Sequence, residues 1–263
     1  MNENITFGFQ TGRKDRIHEE PGTYAKEFFY SYHNFNNDYN NVNLIEFQKV
    51  NTIFYKIMKY IFYSIRYLTT IPFYCEEILS KENKQTIKKT NYLICVNQRV
   101  AFSLMPLTLM KSILGNINIS VFIMGLFLDS KRNIVRKIAR NLFLKLFCYL
   151  NNYLIFLSKN EMEYAKQLYP QFQEKFNYLP FSIDTKFWNP NVEEKKDKQV
   201  LFIGNDEKKD FDFVKKLPKE MQDCKFIFIS KFINVEDFDA LDNVTVINGK
   251  WAENTLSDLE LKE

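Results

Sequence analysis

The sequence predicts an α/β fold in two parts. A complete domain is expected over residues 1–190, a linker over 191–198, and about half of a second domain over 199–263. Three observations carry this expectation. Short apolar runs alternate with amphipathic stretches through most of the chain, the pattern of parallel strands joined by helices. A charged stretch, Glu193 to Lys198, interrupts the alternation with no apolar partner to fold on. Directly after it the alternation restarts with Gln-Val-Leu-Phe-Ile-Gly, residues 199–204, an apolar strand ending on a glycine.

In chain order, Ile5 to Phe9 reads as a strand and Gln10 to Gly22 as a polar, glycine-punctuated loop. Thr23 to Tyr32 reads as a helix with Thr23 at its N-cap, and Val42 to Phe47 as the next strand. This opening is Rossmann-like, although its loop is not G-x-G-x-x-G. Thr52 to Leu68 is the clearest helix, its apolar face Ile53, Ile57, Ile61 and Ile65 at steps of four flanked by Phe54, Met58 and Phe62, with Lys56, Lys59, Tyr60, Tyr63 and Arg66 opposite. Asn91 to Asn97 is apolar on both faces, as a central parallel strand requires. Val100 to Leu114 follows as a helix begun or interrupted by Pro106, then Ile119 to Met124 as a strand. Asn133 to Leu150 is a second basic amphipathic helix, with Arg132, Arg136, Lys137, Arg140 and Lys145 on its polar side. Tyr153 to Leu157, Lys159 to Tyr169 and Phe176 to Leu179 complete the domain as strand, helix and strand.

Past the linker, Val200 to Ile203 is a strand, Phe211 to Leu217 a helix, and Lys225 to Ile229 and Val244 to Ile247 are strands. A strand, a glycine turn and a helix N-terminus together favour an anion, because free backbone N–H groups point out of the turn. Gly204 would turn the chain, Lys208 or Lys209 would neutralise the anion, and Asp210 would cap the helix.

Two stretches carry a family resemblance. Leu-Pro-Phe-Ser-Ile-Asp-Thr-Lys-Phe-Trp, residues 179–188, resembles the P-x-G-x-D-x-x-x-F seam between the domains of retaining glycosyltransferases of family four, which have the GT-B fold. Phe-Ile-Gly-Asn-Asp-Glu-Lys-Lys-Asp-Phe, residues 202–211, resembles the turn opening their second domain. Ser182 stands where the seam often has Gly, and Lys209 where many members carry Arg. The resemblance implies a GT-B-like chain, one complete Rossmann-like domain followed by about half of a second. It also implies transfer of a sugar from a nucleotide-diphosphate sugar to a glycan or lipid-linked acceptor, by front-face displacement. Gly204, Lys208, Lys209 and Asp210 would then hold the donor diphosphate, stabilising the charge on the leaving group. The loop residues Gly12, Arg13, Lys14 and His18 would face the cleft. The donor is a substrate, and neither a cofactor nor a metal is implied.

Several family features depart from the pattern. The usual pair of neighbouring glycines is missing from the first loop. Ile123 to Asp129 lacks the histidine that members often place there. The Glu, seven residues, Glu pattern of the donor domain is not found, since Glu253 and Glu260 are too close together and follow a strand directly. The chain is therefore expected to be a fragment, inactive as it stands. The alternative is a non-catalytic Rossmann-type module that holds a nucleotide or a partner protein.

Composition narrows the classes. A net charge of +4 does not mark a nucleic-acid binder. Four scattered cysteines fit thiols of a reducing cytosol. The 26 Phe and 15 Tyr, with many Asn, Lys and Ile, partly reflect an AT-rich coding bias and do not mark stacking sites. With neither a basic leader nor an apolar run long enough to span, a cytoplasmic location is expected. The two basic helices admit two roles, ordinary packing with solvated lysines or peripheral contact with the anionic inner face of a membrane.

Overall fold

The computed structural model describes residues 3–20, 22–48, 53–128, 133–189, 198–205, 209–238, 241–249 and 257–262. It divides into two units. The first comprises residues 1–19 and 26–183, the second residues 20–25 and 184–263.

The first unit is built on one parallel sheet. Its strands are β1 (Ile5–Phe9), β2 (Val42–Glu46), β3 (Tyr92–Cys95), β4 (Asn118–Ile123), β5 (Tyr153–Phe156) and β6 (Phe176–Tyr178), in the order β2-β1-β3-β4-β5-β6. β1 is buried along its whole length, since it pairs on both sides, Ile5 with Val42 and with Tyr92. The helices are α1 (Arg13–Arg16), α2 (Tyr32–Asp38), α3 (Ile53–Thr69), α4 (Lys81–Lys89), α5 (Gln98–Ile113), α6 (Ile134–Leu150) and α7 (Lys159–Leu168). Asn97, Asn133 and Ser158 cap α5, α6 and α7, each side chain accepting a backbone N–H three residues on. Phe102 of α5 stacks on Phe147 of α6 with ring centroids 4.1 Å apart, both rings fully buried.

Two helix ends are closed by lysine. The Lys111 ammonium donates to the carbonyls of Ile87, Lys88 and Thr90 at the end of α4. Lys175 does the same for Cys148, Tyr149 and Asn151 at the end of α6, at 2.8–2.9 Å. In both cases a cation meets the negative end of a helix dipole. The surrounding burial holds both amines below the usual lysine range.

Four local expectations need correction, and one helix is added. The helix expected over 23–32 is instead a 3-10 turn, Lys26–Phe29, followed by α2. Tyr30 and Ser31 have positive φ, 48° and 65°, and no helix passes through two left-handed residues. α4, capped by Ser80, is an additional helix. α5 continues through Pro106. In α3 the isoleucine row is not the buried face. Steps of four drift by about 40° each on a helix of 3.6 residues per turn, so of the row's described side chains only Ile65, half-buried, approaches the inward face. Ile57 is 56% exposed and Ile61 50%, while Phe62 and Thr69 are buried. In α6, Arg140 leaves the polar side and is buried, donating to the carbonyls of Thr70 and Leu126 at 3.0 and 2.6 Å.

The second unit has a three-stranded parallel sheet in the order β7-β8-β9, from β7 (Gln199–Ile203), β8 (Lys225–Ile229) and β9 (Val244–Ile247). α8 (Phe211–Glu220) follows β7, and a 3-10 turn, Val235–Phe238, follows β8. Phe226, Phe228, Ile233 and Phe238 form the buried centre, with Phe202, Phe211, Val214 and Leu217 packed on it. Burying each such ring stabilises the unit by about 1.5–3 kcal/mol. α9 (Asp258–Lys262) starts with a capping box. The Ser257 hydroxyl accepts the Glu260 N–H, and Glu260 accepts the Ser257 N–H at 2.7 Å. Residues 20–25 belong to this unit, where the buried Ala25 N–H donates to the Asp258 carboxylate at 2.8 Å.

Two parallel α/β sheets in series, six strands and then three among the described residues, are the two-part Rossmann-like α/β class that the sequence predicts.

Candidate functional site

The carboxyl ends of parallel strands are where open α/β sheets bind ligands, because the following loops and helix N-termini converge there. In the second unit, three strand ends are tied together at that edge. Gly204 follows β7 with φ +154°, and its N–H donates to the Ile229 carbonyl of β8 at 3.1 Å. The Asn205 amide joins the other two ends. Its oxygen accepts the Lys231 N–H at 2.7 Å, and its nitrogen donates to the Gly249 carbonyl after β9. Gly249 lies against the backbone of Ser230, so a Cβ there would sit 2.8 Å from Ser230 N and Cα. The buried Ser230 hydroxyl accepts the Phe232 N–H at 3.1 Å.

Over this platform lies one expected cation. The Lys209 side chain folds back across Gly204, and its ammonium donates to the Ile203 carbonyl at 2.8 Å, 5.1 Å from the centre of the Phe202 ring. A Cβ on Gly204 would meet the tip of this side chain, which would have to swing away. Asp210 is the N-cap of α8, its carboxylate accepting the Phe213 N–H at 2.9 Å. Lys231 stands exposed after β8, 4.5 Å from the Phe232 ring. Lys208, the other expected cation, lies outside the described residues. α8 is fixed by Lys215, which pairs with Asp237 at 2.8 Å. The Asn234 N–H and this ammonium hold the Asp237 carboxyl below the usual aspartate range.

In the first unit, strand order reverses between β1 and β3, and the expected loop leaves β1 at that point. Gly12 is the left-handed N-cap of α1, with φ 90°. The N–H groups of Arg13 and Lys14 both donate to Oε2 of Glu46, at 2.9 and 3.2 Å. A buried carboxylate from the end of β2 thus takes the donors that a ligand phosphate would need. The Lys14 ammonium pairs with Glu82 at 2.8 Å and lowers that carboxyl. The Arg13 guanidinium lies 5.7 Å from the rings of Phe28 and Phe29. His18 is exposed, its N–H donating to the Asp15 carbonyl. The loop after β4, where the family histidine is missing, is held from within. Glu161 accepts the N–H groups of Gly125 and Phe127 at 2.8 and 3.2 Å, and Gln98 pairs with both main-chain groups of Met124.

The structure thus brings Gly204, Lys209 and Asp210 together, and gathers Gly12, Arg13 and Lys14 separately around Glu46. Sequence reading missed Asn205, Lys231, Gly249 and Glu46. The small polar pairs Gly-Asn at 204–205 and Asn-Gly at 248–249, each directly after a strand, were the available signal. Among the described residues, no group of three or more His, Cys, Asp or Glu is arranged to hold a metal ion. No helix among them is long and apolar enough to cross a membrane.

No protein-family model matches the chain, and no curated protein does. Among solved structures, the chain is similar to HepE of Anabaena, whose crystal structure is a complex with UDP and glucose. The identity is 8% and the TM-score 0.49, over 93% of this chain and 68% of that one.

Proposed function

We propose that the chain binds a nucleotide-diphosphate sugar at the strand-end platform of its second unit and serves a glycosyltransferase reaction, passing the sugar to a glycan or lipid-linked acceptor. One observation carries the proposal: the Lys209 ammonium, folded over Gly204, stands beside the N-terminus of α8. An ammonium has three donors, and the Ile203 carbonyl engages one of them. The remaining two and the helix end suit a diphosphate, whose charge grows as the glycosidic bond breaks. Gly204 keeps the backbone low enough for that approach. Lys231 adds positive charge at the same edge. The donor is the substrate, and no further cofactor enters the proposed reaction. The reaction is assigned to the cytoplasm, with the first unit on the acceptor side.

Titration calorimetry with UDP, GDP and ADP tests the binding step. At least one diphosphate is expected to bind, and Lys209→Ala to weaken it about tenfold, equal to ~1.4 kcal/mol. Equal affinity in wild type and variant would remove the proposal. The Glu46 carboxylate on the Arg13 and Lys14 amides favours a second reading, a module that binds nucleotide without transferring sugar. Diphosphate binding without release of diphosphate from any nucleotide sugar would select it.

A further inference from the structure

Helices α3 and α6 are unusual in what they turn outward. α3 turns out Lys56 and Lys59, and α6 turns out Lys137 and Lys145, with Arg136 half-buried beside them; neither helix has an acidic residue. A surface helix ordinarily faces carbon inward and charge outward. On α6 the outward row is aliphatic at i, i+4 and i+8, with Ile134 76%, Ile138 57% and Leu142 62% exposed. On α3, Ile57 and Ile61 are joined on the outside by Tyr60 and Tyr67. The two helices pack on each other, and the Arg136 guanidinium lies 4.2 Å from the Tyr67 ring, so the end of α3 meets the start of α6. At the far end of α6, the Ser112 hydroxyl donates to the Leu150 carbonyl, which brings the exposed Ile113 and Leu114 of the α5 terminus alongside.

We propose that this face docks on an anionic lipid surface, with α3 and α6 lying in the interface. Each helix has 17 residues, a band about 25 Å long at 1.5 Å per residue. Its chemistry is layered as an interface requires. The isoleucine and leucine rows enter the acyl boundary, the tyrosines sit at headgroup level, and Lys56, Lys59, Lys137 and Lys145 reach back to the phosphates. The charge argues against the other occupants. A second copy placed by a two-fold axis would set cations against cations with no acid on either helix. Interfaces with other proteins are depleted in lysine, whereas lysine on an apolar face is the mark of an anionic leaflet. The inference stands apart from the nucleotide-sugar proposal, since the face shares no residue with the strand-end platform.

Flotation of the full chain with extruded vesicles tests it. One set is phosphatidylcholine, the other phosphatidylcholine with one third phosphatidylglycerol. The chain should float with the second set at low salt and be released by high salt. Lys137→Glu and Lys145→Glu should each weaken binding at least about fivefold. Leu142→Asp, at an exposed position, should abolish it with an unchanged circular-dichroism spectrum and melting temperature. Val235→Asp, exposed in the second unit, should change nothing. Equal binding to both sets, binding to neither, or a lipid-independent dimer that Leu142→Asp dissociates would each overturn the proposal. Calorimetry with nucleoside diphosphates on the same variants keeps the two proposals separable, because donor binding should survive Leu142→Asp.

Discussion

Gly249 has room for a hydrogen and nothing larger. Backbone atoms of Ser230 and Ile229 wall it in at 2.8–3.0 Å of a notional Cβ, and backbone does not step aside as a flexible side chain does. Gly249→Ala should therefore destabilise the second unit by about 1–3 kcal/mol, read as a lower urea midpoint with an unchanged slope. His33 supplies a pH test. It lies 4.7 Å from the Phe29 ring, and burial, with Lys26 nearby, holds its imidazole below the ordinary value of about 6.5. The unfolded chain binds a proton there before the folded one does. Stability is thus fully present above pH ~6.5 and falls as pH drops through the depressed folded value. Thermal melts from pH 7.5 to 5 should show a loss that His33→Gln flattens. At this scale, the sequence revealed roles played out locally. Asp210 as an N-cap is readable because an acid directly precedes an apolar helical run. Glu46 and Asn205 were not readable, since the groups they bind lie 33 and 44 residues away.

Elements were legible wherever a residue's period matched its burial. The strands β1 to β9 follow apolar runs bounded by polar residues, and the helices α6 and α7 begin at the asparagine and serine that cap them. Failures came from backbone conformations that composition does not announce. Tyr30 and Ser31 look helix-compatible, yet both are left-handed, and the predicted helix breaks on them. Ser31→Gly should relieve that strain while keeping the Ser31 carbonyl as acceptor for Asn34 and Phe35. The expected gain is about 0.5–1 kcal/mol by denaturant unfolding. The isoleucine row of α3 failed differently. Of the apolar face the spacing predicts, Phe62 is buried, but strict steps of four wind around the cylinder and leave Ile57 and Ile61 outside it. The exposed row that results belongs to the face proposed to meet a membrane.

For the molecule as a whole, the two sheets were legible because six and three strands recur with the same strand–helix rhythm. What could not be read was the assignment of residues 20–25 to the second unit, since a short polar stretch carries no periodicity to betray its partner. A nucleoside diphosphate bound only by the native state should raise the melting temperature with concentration. At a hundred times its Kd the stabilisation is about 2.7 kcal/mol, and Lys209→Ala should need about tenfold more ligand for the same shift. The lysines that close α4 and α6 carry a consequence of their own. Each amine has all three of its hydrogens engaged by main-chain oxygens, so an acylating ester can reach neither nitrogen until a helix terminus frays. Lys111 and Lys175 should stay unmodified in a mass-spectrometric footprint of the native chain and acquire label together on unfolding, a natural gauge of whether the first sheet's helices are seated.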